Sequence, residues 1–407
     1  MKPYNRLLGG ILLVSGTTIG AGMLALPVVT GLAGLLPTLV LFIIYWCYMT
    51  FTALLLLEVN LWMGDNVNLI TMAKRTLGRG GEIVSWITYL FLLYLLTSAY
   101  LAGGGPILNE FIHTLTGITL PSWVGPLPLF VLFGIFVYKG TKSVDYVNRY
   151  LMAGLLVAYL AMVVLLIPKV EVDLLEHVRW DASLLGVSLI ATSFGFHIII
   201  PTLTTYLNRD CRLLKKAILI GSFFPLVIYI AWEIITLGII PVEGPNGILV
   251  GYEMGTNGVH LLTAILGNSR ISLIAQFFSF FAIVTSFLGV TLSLSDFLAD
   301  GLHIKKTSGS RLLRFTLTFL PPLVFIYTYP RAFLSALEFA GAFGVVVLLG
   351  LFPTLMAWSG RYRKGYDSEF RVPGGKISLV ASGVFSMIVI AIEIANKSGL
   401  LRQLIPK

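Results

Sequence analysis

Apolar residues fall into eleven long blocks along the chain, and two of those blocks are interrupted. The blocks cover residues 7–30, 35–61, 82–105, 124–138, 144–167, 183–207, 214–240, 271–300, 312–329, 332–358 and 377–395. A helix needs about 20 mostly apolar residues to cross a bilayer. Each block reads as one crossing, with 124–138 short and tilted or extended. The third block continues amphipathically toward Thr116, with Gly103, Gly104 and Gly105 reading as a helix end. The interruptions are Gly16-Thr17-Thr18-Ile19-Gly20-Ala21-Gly22 in the first block and Ser193-Phe194-Gly195-Phe196-His197 in the sixth. Broken backbone is tolerated at membrane depth only where protein buries it or a cavity faces it. Paired breaks at matching places in two halves of a chain point to a transporter's binding site.

The expected fold is therefore an all-α integral membrane protein with 11 transmembrane helices. From Thr18 to Gly195 is 177 residues, room for five crossings with their loops. Five crossings reverse the orientation of whatever follows. Residues 7–167 and 183–358 are thus read as a five-plus-five inverted repeat with discontinuous helices 1 and 6. Helix 377–395 stands outside it, and the whole of 1–407 forms a single membrane transport domain. The loop at 241–269 is glycine-rich and reads as an outer lid holding short helices, one near 259–266.

Composition agrees with lipid as the solvent. The chain is 57% hydrophobic and 12% charged, about half the charge of a soluble domain. Block 7–30 reads as a retained first helix rather than a cleaved leader. The net charge of +9 is explained by loop placement rather than by nucleic acid. Under this threading about three quarters of the 28 Lys and Arg lie on the side of the N-terminus. That side is then cytoplasmic, and the C-terminus periplasmic. The two cysteines, Cys47 and Cys211, fall in a helix and a loop and cannot pair. No metal spacing and no cofactor motif appears.

The stretch 16–27 (GTTIGAGMLALP) resembles the first-helix signature of the bacterial aromatic amino acid permeases, the tryptophan/tyrosine-specific proton symporters. Thr192-Ser193-Phe194-Gly195-Phe196-His197 followed by Pro201 resembles that family's sixth-helix motif. The run 216–222 (KAILIGS) with Pro225, Leu226, Tyr229, Trp232, Leu237, Gly238 and Pro241 resembles its seventh helix. Here Ile198-Ile199-Ile200 follow the histidine where the family often carries small or polar residues. The resemblance implies the fold of the amino acid/polyamine/organocation superfamily. It also implies uptake of tyrosine or tryptophan across the bacterial inner membrane.

Each break frees N–H groups at the start of one half-helix and C=O groups at the end of the other. The positive end near Gly22 suits a carboxylate, and carbonyls near Ser193 suit an ammonium group. The expected substrate site is Thr17, Thr18, Gly20, Ala21, Gly22, Ser193, Phe194, Gly195, Phe196 and His197, with Tyr94 and Ser98 as pocket wall. Intramembrane ionisable residues are functional candidates. For proton coupling these are His197, Glu233, Glu338 and Glu58, the last also placed to snorkel to the surface. A sodium site using Thr285 and Ser286 is the alternative, although such hydroxyls usually bond back along their own helix. Other readings are a carrier of small or hydroxy amino acids, a membrane amino acid sensor or a membrane enzyme. A sensor calls for a soluble signalling segment. An enzyme calls for clustered His, Asp or Cys, yet the histidines at 113, 177, 197, 260 and 303 are scattered.

Overall fold

The computed structural model describes residues 3–405 except 65, 66, 119, 120, 122, 303, 305–309 and 330. Lys2, His303, Lys305, Lys306 and Lys407, which the orientation and histidine arguments used, lie outside the described residues. The described chain is helical throughout. Eight helices are long and apolar enough to cross a membrane, and a bent pair makes a ninth. That pair is α1 (Pro3–Thr18) and α2 (Gly22–Thr30), inclined by 54° across the first break. Next come α3 (Leu35–Leu61), α4 (Leu69–Thr116), α5 (Pro126–Lys139) and α6 (Thr141–Leu166). A short α7 (Val172–Leu175) leads to the second broken span, made of α8 (Val187–Ser193) and α9 (Ile200–Tyr206). Then follow α10 (Cys211–Leu237), the loop helices α11 (Ile248–Met254) and α12 (Gly258–Leu266), α13 (Ser269–Gly301) and α14 (Arg311–Thr328). The tenth apolar block forms one rod of α15 (Ala332–Phe339), a π-helical stretch over Ala340–Leu351, and α16 (Phe352–Ser359). The last helix is α17 (Gly375–Lys397). α5 and α14 are shorter or less apolar than the other spans, yet both pack in the same bundle.

The most buried spans are the rod from Ala332 to Lys364 and the second broken span, and α2 packs against α8 beside them. Large apolar side chains such as Leu12, Ile43, Leu132, Val164 and Val380 face outward, as lipid-facing surfaces require. The glycine run 103–105 does not end a helix; α4 continues through it to Thr116. A Cβ at Gly103 would lie 2.7 Å from the Phe333 ring, and one at Gly105 would lie 2.9 Å from the Pro126 nitrogen. These glycines let neighbouring helices approach, the small-residue packing of membrane bundles. α4 bends instead at Gly78, whose φ of 80° lies in the region glycine favours.

Three intramembrane carboxylates, two of them the candidates Glu58 and Glu338, are tied into the scaffold. Glu58 does not reach for the surface. Its two oxygens take a bidentate pair from Arg361 at 2.7 and 2.5 Å, and Val372 N–H donates at 2.7 Å. Both side chains are almost fully buried. Glu338 pairs with Lys397 Nζ at 2.5 Å, and Glu393 lies 3.6 Å from the same ammonium while accepting from Ser188 at 2.7 Å. Lys397 thereby ties α17 to α15, and Glu393 ties α17 to α8.

Candidate functional site

The first break arises where helix α1 ends at Thr18. The Thr17 and Thr18 hydroxyls donate back to the Leu13 and Val14 carbonyls at 2.7 and 2.8 Å. The chain then turns through Ile19-Gly20-Ala21 before α2 begins. A residue 265 positions away caps the new start: Ala21 N–H donates to Ser286 Oγ at 3.1 Å. Among the described residues, the N–H groups of Gly20 and Gly22 have no acceptor. Both glycines are close-approach positions. A Cβ at Gly20 would stand 2.8 Å from Ser286 Oγ, and one at Gly22 would stand 3.0 Å from Ser193 Oγ.

The second break follows the same logic. α8 ends at Ser193, whose hydroxyl donates to Leu189 C=O at 3.1 Å. The chain opens over Phe194-Gly195-Phe196 and restarts at α9, with Pro201 in the first turn, where a missing N–H costs nothing. Gly195 fits against α15's continuation, 3.3 Å from Val345 as measured to a built Cβ.

A single side chain joins the two breaks. The Tyr229 hydroxyl, fully buried on α10, lies 2.8 Å from Thr18 C=O and 3.0 Å from Ser193 C=O. Its one proton is shared between the last carbonyls of both incoming half-helices. The ring is wedged edge-on between Phe42 and Phe194, with centroids 6.3 and 5.3 Å away.

Both breaks face one cavity of about 450 Å³, within the roughly 300–1,000 Å³ of small-molecule sites. Its upper wall holds Thr17, Thr18, Gly20, Gly22, Ser193, Gly195, Tyr100, Thr285 and Ser286. From there it runs along Tyr89, Leu92, Leu96 and Val345 toward the end of the bundle that carries the N-terminus. It passes Met152, Asn148, Thr202 and Ser293 on the way. A second space, lined by Leu12, Leu13, Asn148 and Tyr206, adjoins it at that end. At the opposite end α12 rests on α2, with a Cβ built on Gly258 3.4 Å from Pro27.

The other expected site residues stand elsewhere. Ala21 is buried and contributes backbone alone. Phe194 and Phe196 are buried in packing, the first against Phe42 and Tyr229 and the second against the His197 ring, and neither lines the cavity. His197 sits behind the break, its Nε2 2.9 Å from Thr52 Oγ1 and its Nδ1 without a partner. Glu233 is buried too; Oε1 accepts from Thr30 at 3.1 Å and Oε2 has no donor. Tyr94 and Ser98 belong to a separate apolar groove against Pro321, Phe325 and Phe339, where Tyr94 donates to Leu317 C=O at 2.8 Å. Thr285 and Ser286 donate to Phe281 and Ala282 carbonyls at 2.7 and 2.8 Å, one turn back on α13.

Sequence reasoning did not assign Tyr229, Tyr89 or Asn148 a role in the site. For Asn148 there was a signal, since an uncharged amide within an apolar block is uncommon enough to ask for a partner. Tyr229 entered only as part of the seventh-helix resemblance, which gave no sign of its contact with the two breaks.

Comparison with known proteins gives a consistent result. The model of the tryptophan/tyrosine permease family matches residues 4–394. The "Tyrosine-specific transport system 1" of Haemophilus influenzae is 35% identical, over 98% of each chain. The "Tryptophan-specific transport protein" of Pseudomonas aeruginosa is 31% identical over 94% of this chain and 92% of its own. The "Low affinity tryptophan permease" of Escherichia coli is 28% identical over 95% of each.

Proposed function

The chain belongs to the tryptophan/tyrosine permease family, and from that premise we propose that it imports an aromatic amino acid across the bacterial inner membrane. The observation that carries this reading is the pair of breaks on one cavity. The zwitterion's carboxylate accepts from the free N–H groups of Gly20 and Gly22, at the positive end of α2. Its ammonium group meets the carbonyls freed at the second break. The aromatic ring then lies along the apolar wall of Leu92, Leu96 and Val345, beside Tyr89 and Tyr100.

In this reading the bundle makes eleven crossings, with α5 and α14 as the two short ones. They form a five-plus-five inverted repeat followed by α17. The cavity opens at the end where Lys139, Arg149 and Arg209 cluster, the cytoplasmic side by the positive-inside rule. The chain is thus held inward-open, with α11 and α12 closing the periplasmic side over α2.

Tyr229 sets the separation of the two half-sites. Tyr229→Phe keeps the ring and removes the shared donor that holds the Thr18 and Ser193 carbonyls, and with them the two half-sites, at a fixed separation. Uptake is expected to fall about tenfold through a raised KM, since an unmet buried acceptor costs about 1–3 kcal/mol. An unchanged KM in proteoliposomes would remove Tyr229 from the site.

Coupling follows from which ionisable groups remain uncommitted. Glu58 and Glu338 are held by Arg361 and Lys397. His197, beside the second break, and Glu233, one turn from Tyr229 on α10, have no charged partner and each keep a buried polar atom without a partner. They are the proton carriers in this reading, with alternating access linked to their protonation. Sodium fits less well, because Ser286 already caps Ala21. Tyrosine and tryptophan uptake is therefore expected to follow an imposed pH gradient in proteoliposomes. Uptake that tracks a sodium gradient and ignores pH would overturn the proton assignment.

A further inference from the structure

Resting on that reading, we infer that Asn148 is the specificity-determining residue that accepts the ring-borne N–H or O–H of the substrate. Among the described residues lining the main cavity, Asn148 Oδ1 is the one buried side-chain oxygen without a hydrogen-bond donor. The neighbouring hydroxyls are committed: Thr17 donates to Leu13 C=O, Ser286 to Ala282 C=O and Ser293 to Gly289 C=O. A buried acceptor without a donor is unfavourable until something supplies one.

Position along the cavity agrees. Gly16 lies one helical turn from Gly20, toward the N-terminal end of α1. Met152 Cε stands 3.8 Å from the point a Cβ on Gly16 would occupy. Asn148 is one further turn along α6 in the same direction, so it sits about two turns, roughly 11 Å, from the free N–H groups of the first break. An extended tyrosine with a hydrogen bond at each end covers that separation. With the carboxylate fixed at Gly20 and Gly22, the ring passes between Leu92 and Met152 and its polar edge arrives at Asn148.

The chemistry divides the aromatic amino acids. Tyrosine offers a phenolic O–H and tryptophan an indole N–H, each a single donor at the far edge of the ring. Phenylalanine offers none and would leave Oδ1 buried and unmet. Sites built to hydrogen-bond a substrate N–H or O–H discriminate strongly against the analogue without it, whereas a purely apolar pocket does not.

The test is competition of labelled tyrosine uptake by unlabelled tyrosine, tryptophan and phenylalanine in proteoliposomes. The wild type is expected to prefer tyrosine and tryptophan over phenylalanine. In Asn148→Leu the KM for tyrosine is expected to rise at least about tenfold while that for phenylalanine holds or falls, so the preference closes. Asn148→Asp keeps an acceptor oxygen and is expected to retain the preference. Asn148→Ala serves if the leucine variant fails to insert, with the same expected loss of discrimination. Equal losses for all three substrates, or an unchanged preference in Asn148→Leu and Asn148→Ala, would overturn the assignment of Asn148. Failure of the wild type to take up any aromatic amino acid would instead overturn the transport reading itself.

Discussion

Valine at Gly20 is expected to abolish uptake while leaving the amount of protein in the membrane unchanged. A Cβ there would already stand 2.8 Å from Ser286 Oγ, the atom that caps Ala21. Valine adds two methyl groups at the same point, next to the N–H groups proposed to receive the carboxylate. Overpacking of this kind costs about 1–3 kcal/mol, which a large bundle survives. The displaced geometry is what the proposed site is expected not to survive, because backbone donors for a carboxylate have no side chain to compensate. Gly22→Val is expected to act alike through Ser193, 3.0 Å from its built Cβ. Alanine at either position should give a smaller, measurable rise in KM. Normal uptake by Gly20→Val, with membrane levels matched by immunoblot, would mean that the first break does not hold the substrate.

Removing Glu58 is expected to cost the fold about 3–5 kcal/mol, the range for breaking a buried ion pair from one side. Glu58→Ala leaves the Arg361 guanidinium buried without its bidentate partner and leaves Val372 N–H unpaired. The segment after α16 would then lose its anchor to α3. Thermal unfolding of the detergent-solubilised protein should show a large drop for Glu58→Ala and for Arg361→Ala. The double variant should fall by much less than their sum, because neither charge is then stranded. Single variants that melt like the wild type would refute a structural role and return Glu58 to the list of proton carriers.

The parts of this molecule that were legible in the sequence share a property: their cause is local. Gly20, Gly22 and Gly195 interrupt otherwise seamless apolar blocks, and the helices break at or beside them, while Gly16 stays helical within α1. The loop at 241–269 forms two short helices because its glycines punctuate it, Gly255 and Gly267 ending them with positive φ. Where a side chain's meaning depends on a distant partner, local reading failed. Glu58 looked free to snorkel because Arg361 lies 303 residues away. Phe194 and Phe196 bracket a break, which suggested a pocket wall. The turn instead sends both rings into the packing around α3 and α10. Tyr94 and Ser98 share a helix with Tyr100, but they point from α4 toward α14, because residues two and six positions apart on an α-helix lie on different faces.

The sequence by itself determined that the chain lives in lipid, how many apolar blocks it has, and where the backbone gives way. Each of these follows from solvent transfer and from the conformational freedom of glycine, which act residue by residue. Only the tertiary structure decided which groups meet at the breaks. Ser286 caps the first, Tyr229 joins the first to the second, and Asn148 is left with an unmet acceptor in the space below. Those outcomes depend on side chains from separate helices converging across the bundle, and hydropathy carries no record of which faces will meet.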